Sequence, residues 1–400
     1  MNKYSLALIC LLAFVCACKP DTAGEQEKSE APKTVIHYMG WYNTADAGAD
    51  SLRHWKYGTA NTPLLGHYDS QDKSVILCHL LWSWAAKVDA VVVNVKDEYD
   101  RQTLLKVQEV VGELRDLSGG SFDMETAISF DDQGFDLQEP LDTALFKIAQ
   151  FQNENVLAND FYLKFNGKPI VFSFDYPHKF LTAETLRESL DEVFGEREAL
   201  LVWNTFGEGE NTEDFVDAFY PWVQPGGQWD ESGLNWGSPY LDYFYGQVNR
   251  FNKPTHQFVG GGVWPGFDDR NNMSWGGNRL ISRQEGSVYD STWQYVADYS
   301  GSLSMKYVMI ETWNDWNEGT EIEPSQEHQY QYLLQTERNI AQMHGLDFVA
   351  DSSKYQLGLL IYEAAQNLST TGDSAVFHTA LEQFFDMNMK DAENTIAKLL

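Results

Sequence analysis

The chain has 400 residues, of which 43% are hydrophobic and 22% charged, with 30 Gly and 12 Pro, an ordinary globular composition that excludes collagen-like, disordered and polytopic membrane classes. Its net charge of −31 repels a phosphate backbone instead of releasing its counterions, so nucleic acid is not an expected partner. At this length either one α/β barrel or two to three smaller domains can bury a core.

In chain order, Lys3 and the apolar run Leu6–Val15 have the charge and length of a secretion signal, too short to span a bilayer as a mature helix. The run leads into Val15-Cys16-Ala17-Cys18, which resembles the lipobox of bacterial lipoproteins. Residues 1–17 are therefore expected to be a signal peptide and Cys18 the lipidated mature N-terminus. A plain signal peptide cleaved nearby is the alternative. Lys19-Pro20, with no Asp after the cysteine, points to an outer-membrane anchor, on its periplasmic or cell-surface face. Residues 18–33 are polar and lack apolar periodicity, the pattern of a flexible tether. Of the four cysteines, Cys10 and Cys16 leave with the signal and Cys18 carries lipid, so Cys78 has no intrachain partner. It lies on an apolar helical face, Ser74–Leu81, and reads as a core residue.

Eight apolar, β-rich runs follow, at 34–39, 89–95, 124–130, 169–174, 199–204, 219–224, 256–263 and 306–312. Helical patterns at 73–87, 101–117, 142–155, 183–194 and 287–299 lie between several of them. This alternation predicts an α/β fold, a (β/α)8 TIM barrel over 34–349, with a helix over 326–344 and a C-terminal helical segment over 350–400. A doubly wound nucleotide fold is disfavoured because Met39-Gly40-Trp41-Tyr42 after the first strand carries no phosphate-binding glycine pattern. Gly260-Gly261-Gly262 precedes Val263-Trp264-Pro265 rather than a helix, and reads as close backbone approach. No G-x-S-x-G elbow is present.

Barrel function sits at the C-terminal strand ends. Here these offer Trp41 and Tyr42, Asp131 and Asp132, Asp175 and Tyr176, Trp203 and Asn204, Tyr220 and Trp222, then Trp264, Asp268 and Asp269, and last Trp313–Glu318. Aromatic faces stack on sugar rings while acids and amides take hydroxyls, so the set reads as a carbohydrate cleft. His54 and His67 are candidates for sugar contacts or structural hydrogen bonds. The sharpest element is Glu311-Thr312-Trp313-Asn314-Asp315-Trp316-Asn317-Glu318. Its carboxylates Asp315 and Glu318, three residues apart beside indoles and amides, can supply a protonated acid and an ionised partner for glycosidic cleavage. Glu321 and Glu323 carry the structural alternative of capping or pairing with arginine. Asp268–Asn272 lacks an EF-hand glycine; neither metal nor cofactor is expected.

Asn314-Asp315-Trp316-Asn317-Glu318-Gly319-Thr320 followed by Ile322-Glu323-Pro324 resembles the N-E-W-H-E-G-T-x-I-E-P motif of glycoside hydrolase family 99, and Thr312-Trp313-Asn314-Asp315 the T-W-N-D of family 71. Arg53-His54-Trp55, the stretch 65–75 around Tyr68, Ser70 and Asp72, and Pro265–Asp269 with Arg283, Gly286, Tyr289 and Trp293 extend the likeness over most of 34–325. The resemblance implies a metal-free barrel that retains configuration at an internal α-mannosidic bond through attack by the substrate's own 2-hydroxyl. It makes Asp315 the base for that hydroxyl and Glu318 the acid, with Asp131 the equivalent of a sugar-gripping Glu. Trp41, Tyr42, His54, Tyr176, Trp203, Asn204, Trp264, Asp268, Asn314 and Trp316 are the other expected substrate contacts. Family 99 has Glu where Asp315 stands and His where Asn317 stands. A carboxylate withdrawn by one methylene can cost ~100-fold if the substrate does not follow it. The expected activity is hydrolysis of α-linked polysaccharide, α-mannan first. The alternatives are an α-1,3-glucan, a sulfated glycan met locally by Arg53, Arg270, Arg279 and Arg283, or glycan binding without turnover.

Overall fold

Valine-rich runs without a polar face make the barrel wall. Ala90-Val91-Val92-Val93-Asn94-Val95 is buried at every position, as a parallel strand covered on both faces must be. The strands are β1 Lys33–Met39, β2 Ala90–Val95, β3 Glu125–Asp131, β4 Lys168–Phe174, β5 Leu200–Trp203, β6 Ala218–Phe219, β7 Val259–Val263 and β8 Met305–Ile310. They pair in parallel in the order β6-β5-β4-β3-β2-β1-β8-β7. Ile36 stands opposite both Val91 and Ile310, so the first strand is held between the second and the last. Gln257 N donates to Asp217 O at 2.9 Å, joining the segments ahead of β7 and β6. The result is the nearly closed (β/α)8 barrel that the alternation predicts.

This computed structural model describes residues 31–44, 52–131, 133, 139–174, 182–204, 212–225, 236–248, 257–302, 304–368 and 371–400. Cys18, Asp132, Asp175 and Tyr176 lie outside them. Outside the strands run α1 Lys73–Ala85, α2 Glu98–Leu117, α3 Pro140–Asn153, α4 Ala183–Phe194, α5 Thr212–Phe215, α6 Ser238–Val248, α7 Ser287–Ser300 and α8 Gln331–His344. Side-chain oxygens satisfy the free amides at several starts: Asp72 accepts from Ser74 N, Asp97 from Tyr99 N and Asp100 N, and Thr182 from Thr185 N. At Gly262 an added Cβ would stand 2.5 Å from Pro221 O, so the glycine run of β7 serves backbone packing.

After α8 come α9 Ser353–Ala365, α10 Thr371–Phe385 and α11 Met389–Ile396. They cover the outside of α1: Trp82 Nε1 donates to Tyr355 O at 2.8 Å, and Cys78 Sγ to Gly358 O at 3.7 Å. Cys78 is buried, a core residue as its surroundings in sequence suggest. Among the described residues no helix is long and apolar enough to cross a membrane.

Candidate active site

The loop after β8 is built first from its backbone. Trp313 N donates to His37 O at 2.7 Å, and Ile322 N reaches back to Trp313 O at 3.0 Å. Asn314 acts as a substitute strand neighbour for β1: its Oδ1 accepts from Met39 N (2.7 Å) and its Nδ2 donates to Met39 O (3.0 Å) and Tyr68 Oη (3.0 Å). Tyr42 Oη accepts from Trp316 N at 3.0 Å. Trp316 Nε1 and Tyr68 Oη both donate to Glu323 Oε2, at 3.2 and 2.7 Å, and His79 Nε2 lies 3.1 Å from its other oxygen. Glu321 pairs with Arg283 (2.7 Å) and accepts from Asn61 (2.7 Å). The downstream acids are thus structural. Asn317, where family 99 has His, donates to His54 O (3.1 Å) and Gly58 O (2.8 Å), tying the 54–58 turn to the loop.

Within this frame Asp315 N donates to Thr312 Oγ1 at 2.7 Å, and Asp315 Oδ1 accepts from Glu318 N at 3.1 Å. The three-residue spacing becomes a tight turn that points both carboxyls at one cavity of about 500 Å³ at the C-terminal strand ends. Met39 and Trp41 enter it from the end of β1, Asn94 and Lys96 from β2, Asp131 from β3, Phe174 from β4, and residues 222–225 from beyond β6. The segment after β7, with its short antiparallel pairing of 267–268 against 280–281, contributes Phe267, Trp275 and Arg279. One wall is aromatic: the His54 ring stacks on Trp41 at 4.3 Å and 6°, and Trp275 meets the two edge-on at 5.6 and 6.4 Å. Lys96 Nζ sits 5.3 Å over the Trp41 ring.

The electrostatics separate the groups. Burial first, and the neighbouring Glu318 charge second, hold Asp315 well above the usual carboxylate range. Burial also raises Glu318, opposed by the Trp275 N–H at 2.9 Å and by the Arg279 guanidinium. Burial of both, with the Glu318 charge beside Asp315, thus keeps the pair above the ordinary carboxylate range. His54 is pushed down to about 2 by burial, then by Lys96 and Arg53, so it is a neutral ring. Asp131 is raised by burial and held back by Lys96 and Asn94.

Of the expected site residues, Trp41, His54, Asp131, Asp315 and Glu318 line the cavity. Trp222, also offered by the strand ends, lines it too; the other expected contacts among the described residues do not, and Tyr176 lies outside those residues. Tyr42, Asn314 and Trp316 are wholly buried braces behind the loop. Trp203, Asn204 and Trp264 are wholly buried at their strand ends, and Trp264 Nε1 donates to Trp236 O at 3.0 Å. Asp268 pairs with Arg270 at 2.7 Å beside a smaller cavity of about 240 Å³. The arginines do not gather: Arg53 pairs with Asp97, Arg270 with Asp268, Arg283 with Glu321, and only Arg279, bound to Asp269, reaches the main cavity. Sequence reasoning missed Asn94, Lys96 and Trp275. Asn94 alone carried a signal, as the one polar residue of a buried valine strand.

A family model described as glycosyltransferase WbsX matches residues 238–336, the stretch holding β7, β8 and the acid loop. No curated protein matches the chain. Among solved structures, the family-99 endo-α-mannosidase of Bacteroides thetaiotaomicron with bis-tris-propane superposes with a TM-score of 0.58, at 19% identity over 78% of this chain and 97% of that one. A second structure of the family-99 endo-α-mannosidase from that organism gives 0.56 and 18%, over 79% and 98%. The fold is that of the family-99 barrels. A glycoside hydrolase-like protein gives 0.57 at 16% identity, over 78% and 94%. The resemblance carried by the Asn314–Pro324 segment thus extends to the architecture of the whole barrel.

Proposed function

We propose that this chain is a glycoside hydrolase of α-linked polysaccharide, α-mannan foremost, with Asp315 and Glu318 as its catalytic residues. The observation that carries the reading is the Asp315–Glu318 pair, the first buried and the second half-buried, at the wall of an aromatic-lined cavity, with both carboxyls raised above the ordinary range by burial. A binding protein needs the aromatics but gains nothing from two desolvated acids, which cost stability.

In the reaction that the family-99 resemblance implies for this pair, Asp315 in its ionised form takes the proton of the sugar 2-hydroxyl as its oxygen attacks C1. The bond from C1 to the leaving oxygen breaks, and Glu318 protonates that oxygen. Glu318 then removes a proton from water as the water oxygen attacks C1, the strained ring opens, and O2 recovers its proton from Asp315; configuration is retained. Asp131 accepts a hydroxyl of the sugar bound at the cleavage point, while Trp41, His54 and Trp275 receive its apolar face.

The test is product release from a panel of α-mannans, α-glucans and sulfated polysaccharides, with Glu318→Gln alongside. Cleavage of one glycan that the variant does not cleave supports the reading. Binding without cleavage, equal in both proteins, refutes it. The matching family model carries a transferase description, so the same assay scores sugar transferred to an acceptor as well as free reducing ends. Export and anchoring through Cys18 belong to the same proposal. Metabolic labelling with a fatty acid, lost in Cys18→Ala, is the expected result.

A further inference from the structure

From beneath the cavity up into its lining, four polar side chains form a line through the barrel interior, from just beyond β8 across β1 and β2 to the end of β3. Glu311 Oε2 lies 3.3 Å from His37 Nδ1, His37 Nε2 lies 3.2 Å from Asn94 Oδ1, and Asn94 Nδ2 donates to Asp131 Oδ2 at 3.1 Å. All four are at least 96% buried. We propose that this line is a directional hydrogen-bond relay in which a protonated Glu311 fixes the His37 tautomer, His37 fixes the Asn94 amide, and Asn94 holds Asp131 as an ionised acceptor for the sugar. Glu311, His37 and Asn94 are then positioning residues, and the proposal rests on the hydrolase reading only in giving Asp131 a sugar to meet.

Each link dictates the next. Asp131 receives N–H groups at both oxygens, from Asn94 at Oδ2 and from Gln133 N at Oδ1 (3.0 Å), which is the surrounding of a carboxylate rather than an acid. Asn94 must therefore turn its NH₂ toward Asp131, which leaves its Oδ1 in need of a donor. His37 Nε2–H is that donor. A neutral ring then presents a bare lone pair at Nδ1, and the group facing it among the described residues is Glu311, which fills it only as a carboxylic acid.

The competing arrangement moves one proton along the 3.3 Å bond and makes an imidazolium–carboxylate pair. The surroundings oppose it. Among the described residues, the other titratable groups around Glu311 are the phenols Tyr220, Tyr240 and Tyr307, and no lysine or arginine perturbs it. Trp222 and Phe174 close over the His37 ring at 5.2 and 6.3 Å. In so dry a place two separated charges cost more than their attraction returns. Burial accordingly lowers His37 to about 4 and raises Glu311 well above the ordinary carboxylate range.

The relay reaches the chemistry through charge. Asp131 is one of the groups that raise Glu318, with Asp269 on the same side and Arg279 and the Trp275 N–H against it; Lys96 and Lys147 are the cations around Asp131 itself. An Asp131 kept ionised from below helps hold Glu318 above the ordinary carboxylate range.

Two experiments on the full chain decide it. Long-range ¹H–¹⁵N NMR of the His37 ring at neutral pH, without glycan, is expected to show a protonated Nε2 and a bare Nδ1. A doubly protonated ring, or a proton on Nδ1 alone, overturns the relay. Glu311→Gln keeps an N–H donor toward Nδ1 and is expected to hold kcat/KM within about threefold. Glu311→Leu removes the donor and is expected to lose about tenfold, mostly in KM, with the alkaline limb of the pH profile moved down. Equal losses in both variants overturn the proposal. Because the NMR needs no substrate, a correct tautomer in a protein that cuts no glycan refutes the hydrolase reading while leaving the relay intact, and the converse separates them the other way.

Discussion

Trp275→Phe isolates a hydrogen bond that the aromatic wall makes to the acid pair. The indole N–H donates to Glu318 Oε1 at 2.9 Å, so it favours the ionised form, and its loss raises Glu318 further. A hydrogen bond to a charged group is worth ~1.5–3 kcal/mol. Trp275 is 37% exposed, and solvent screening reduces that to about 1 kcal/mol, which corresponds to about 0.7 of a pH unit. If Glu318 is the general acid, the alkaline limb of kcat/KM moves up by that amount while the plateau falls about twofold, because a weaker acid transfers its proton less readily. The phenyl ring keeps edge contacts to Trp41, His54 and Tyr57, so folding is not at stake. The assay is initial rate against pH on the glycan that the panel identifies. An alkaline limb that stays in place, or moves down, refutes Glu318 as the titrating acid.

Glu318→Gln and Asp315→Asn should each lower kcat/KM by at least about a thousandfold with an unchanged circular dichroism spectrum, since each keeps its volume and loses only proton transfer; ordinary activity in either removes that residue from the mechanism. Gly319 has φ +61°, and an added Cβ would meet Asp268 N at 3.0 Å. Gly319→Ala should therefore cost about 1–3 kcal/mol in urea unfolding and displace Glu318; an unchanged midpoint contradicts the crowding described. His54 stays neutral in the folded state down to about pH 2 but takes a proton near 6.5 when unfolded, so the unfolded chain binds more protons throughout that window. Lowering the pH from 7 to 5 should cost about 2 kcal/mol through this residue. His54→Gln should remove that part of the loss, read as a smaller change in the urea midpoint between the two pH values; an identical change rules the effect out.

The barrel was legible because parallel strands buried on both faces are unbroken apolar runs, and β2 could be read almost letter by letter. Boundaries failed where something local intervened. The run 219–224 ends as a ladder at Phe219 because Pro221 has no N–H to donate. The run 306–312 leaves the sheet after Ile310 because Thr312 N turns to Thr320 O inside its own loop. The helix expected from 326 starts at Gln331, after a turn in which Gln329 takes φ +49°. In the site, Asp315 and Glu318 were visible by spacing, since their partners lie within a few residues. Lys96 and Trp275 were not, because each gains its place from a ring or acid distant in the chain, and Asn94 showed only as a polar residue in an apolar strand. Tryptophan abundance misled in the other direction: Trp203, Trp264 and Trp316 answer to packing and bracing.

The bonds from His37, Met39 and Tyr42 to Trp313, Asn314 and Trp316 each join groups about 275 residues apart in the chain. A polypeptide emerging from the ribosome carries one half of these pairings through about 275 further residues before the other half exists. The acid loop therefore completes the cavity late: a product stopped short of residue 313 holds most of the wall of the barrel and much of the cavity lining, but neither carboxyl of the acid pair.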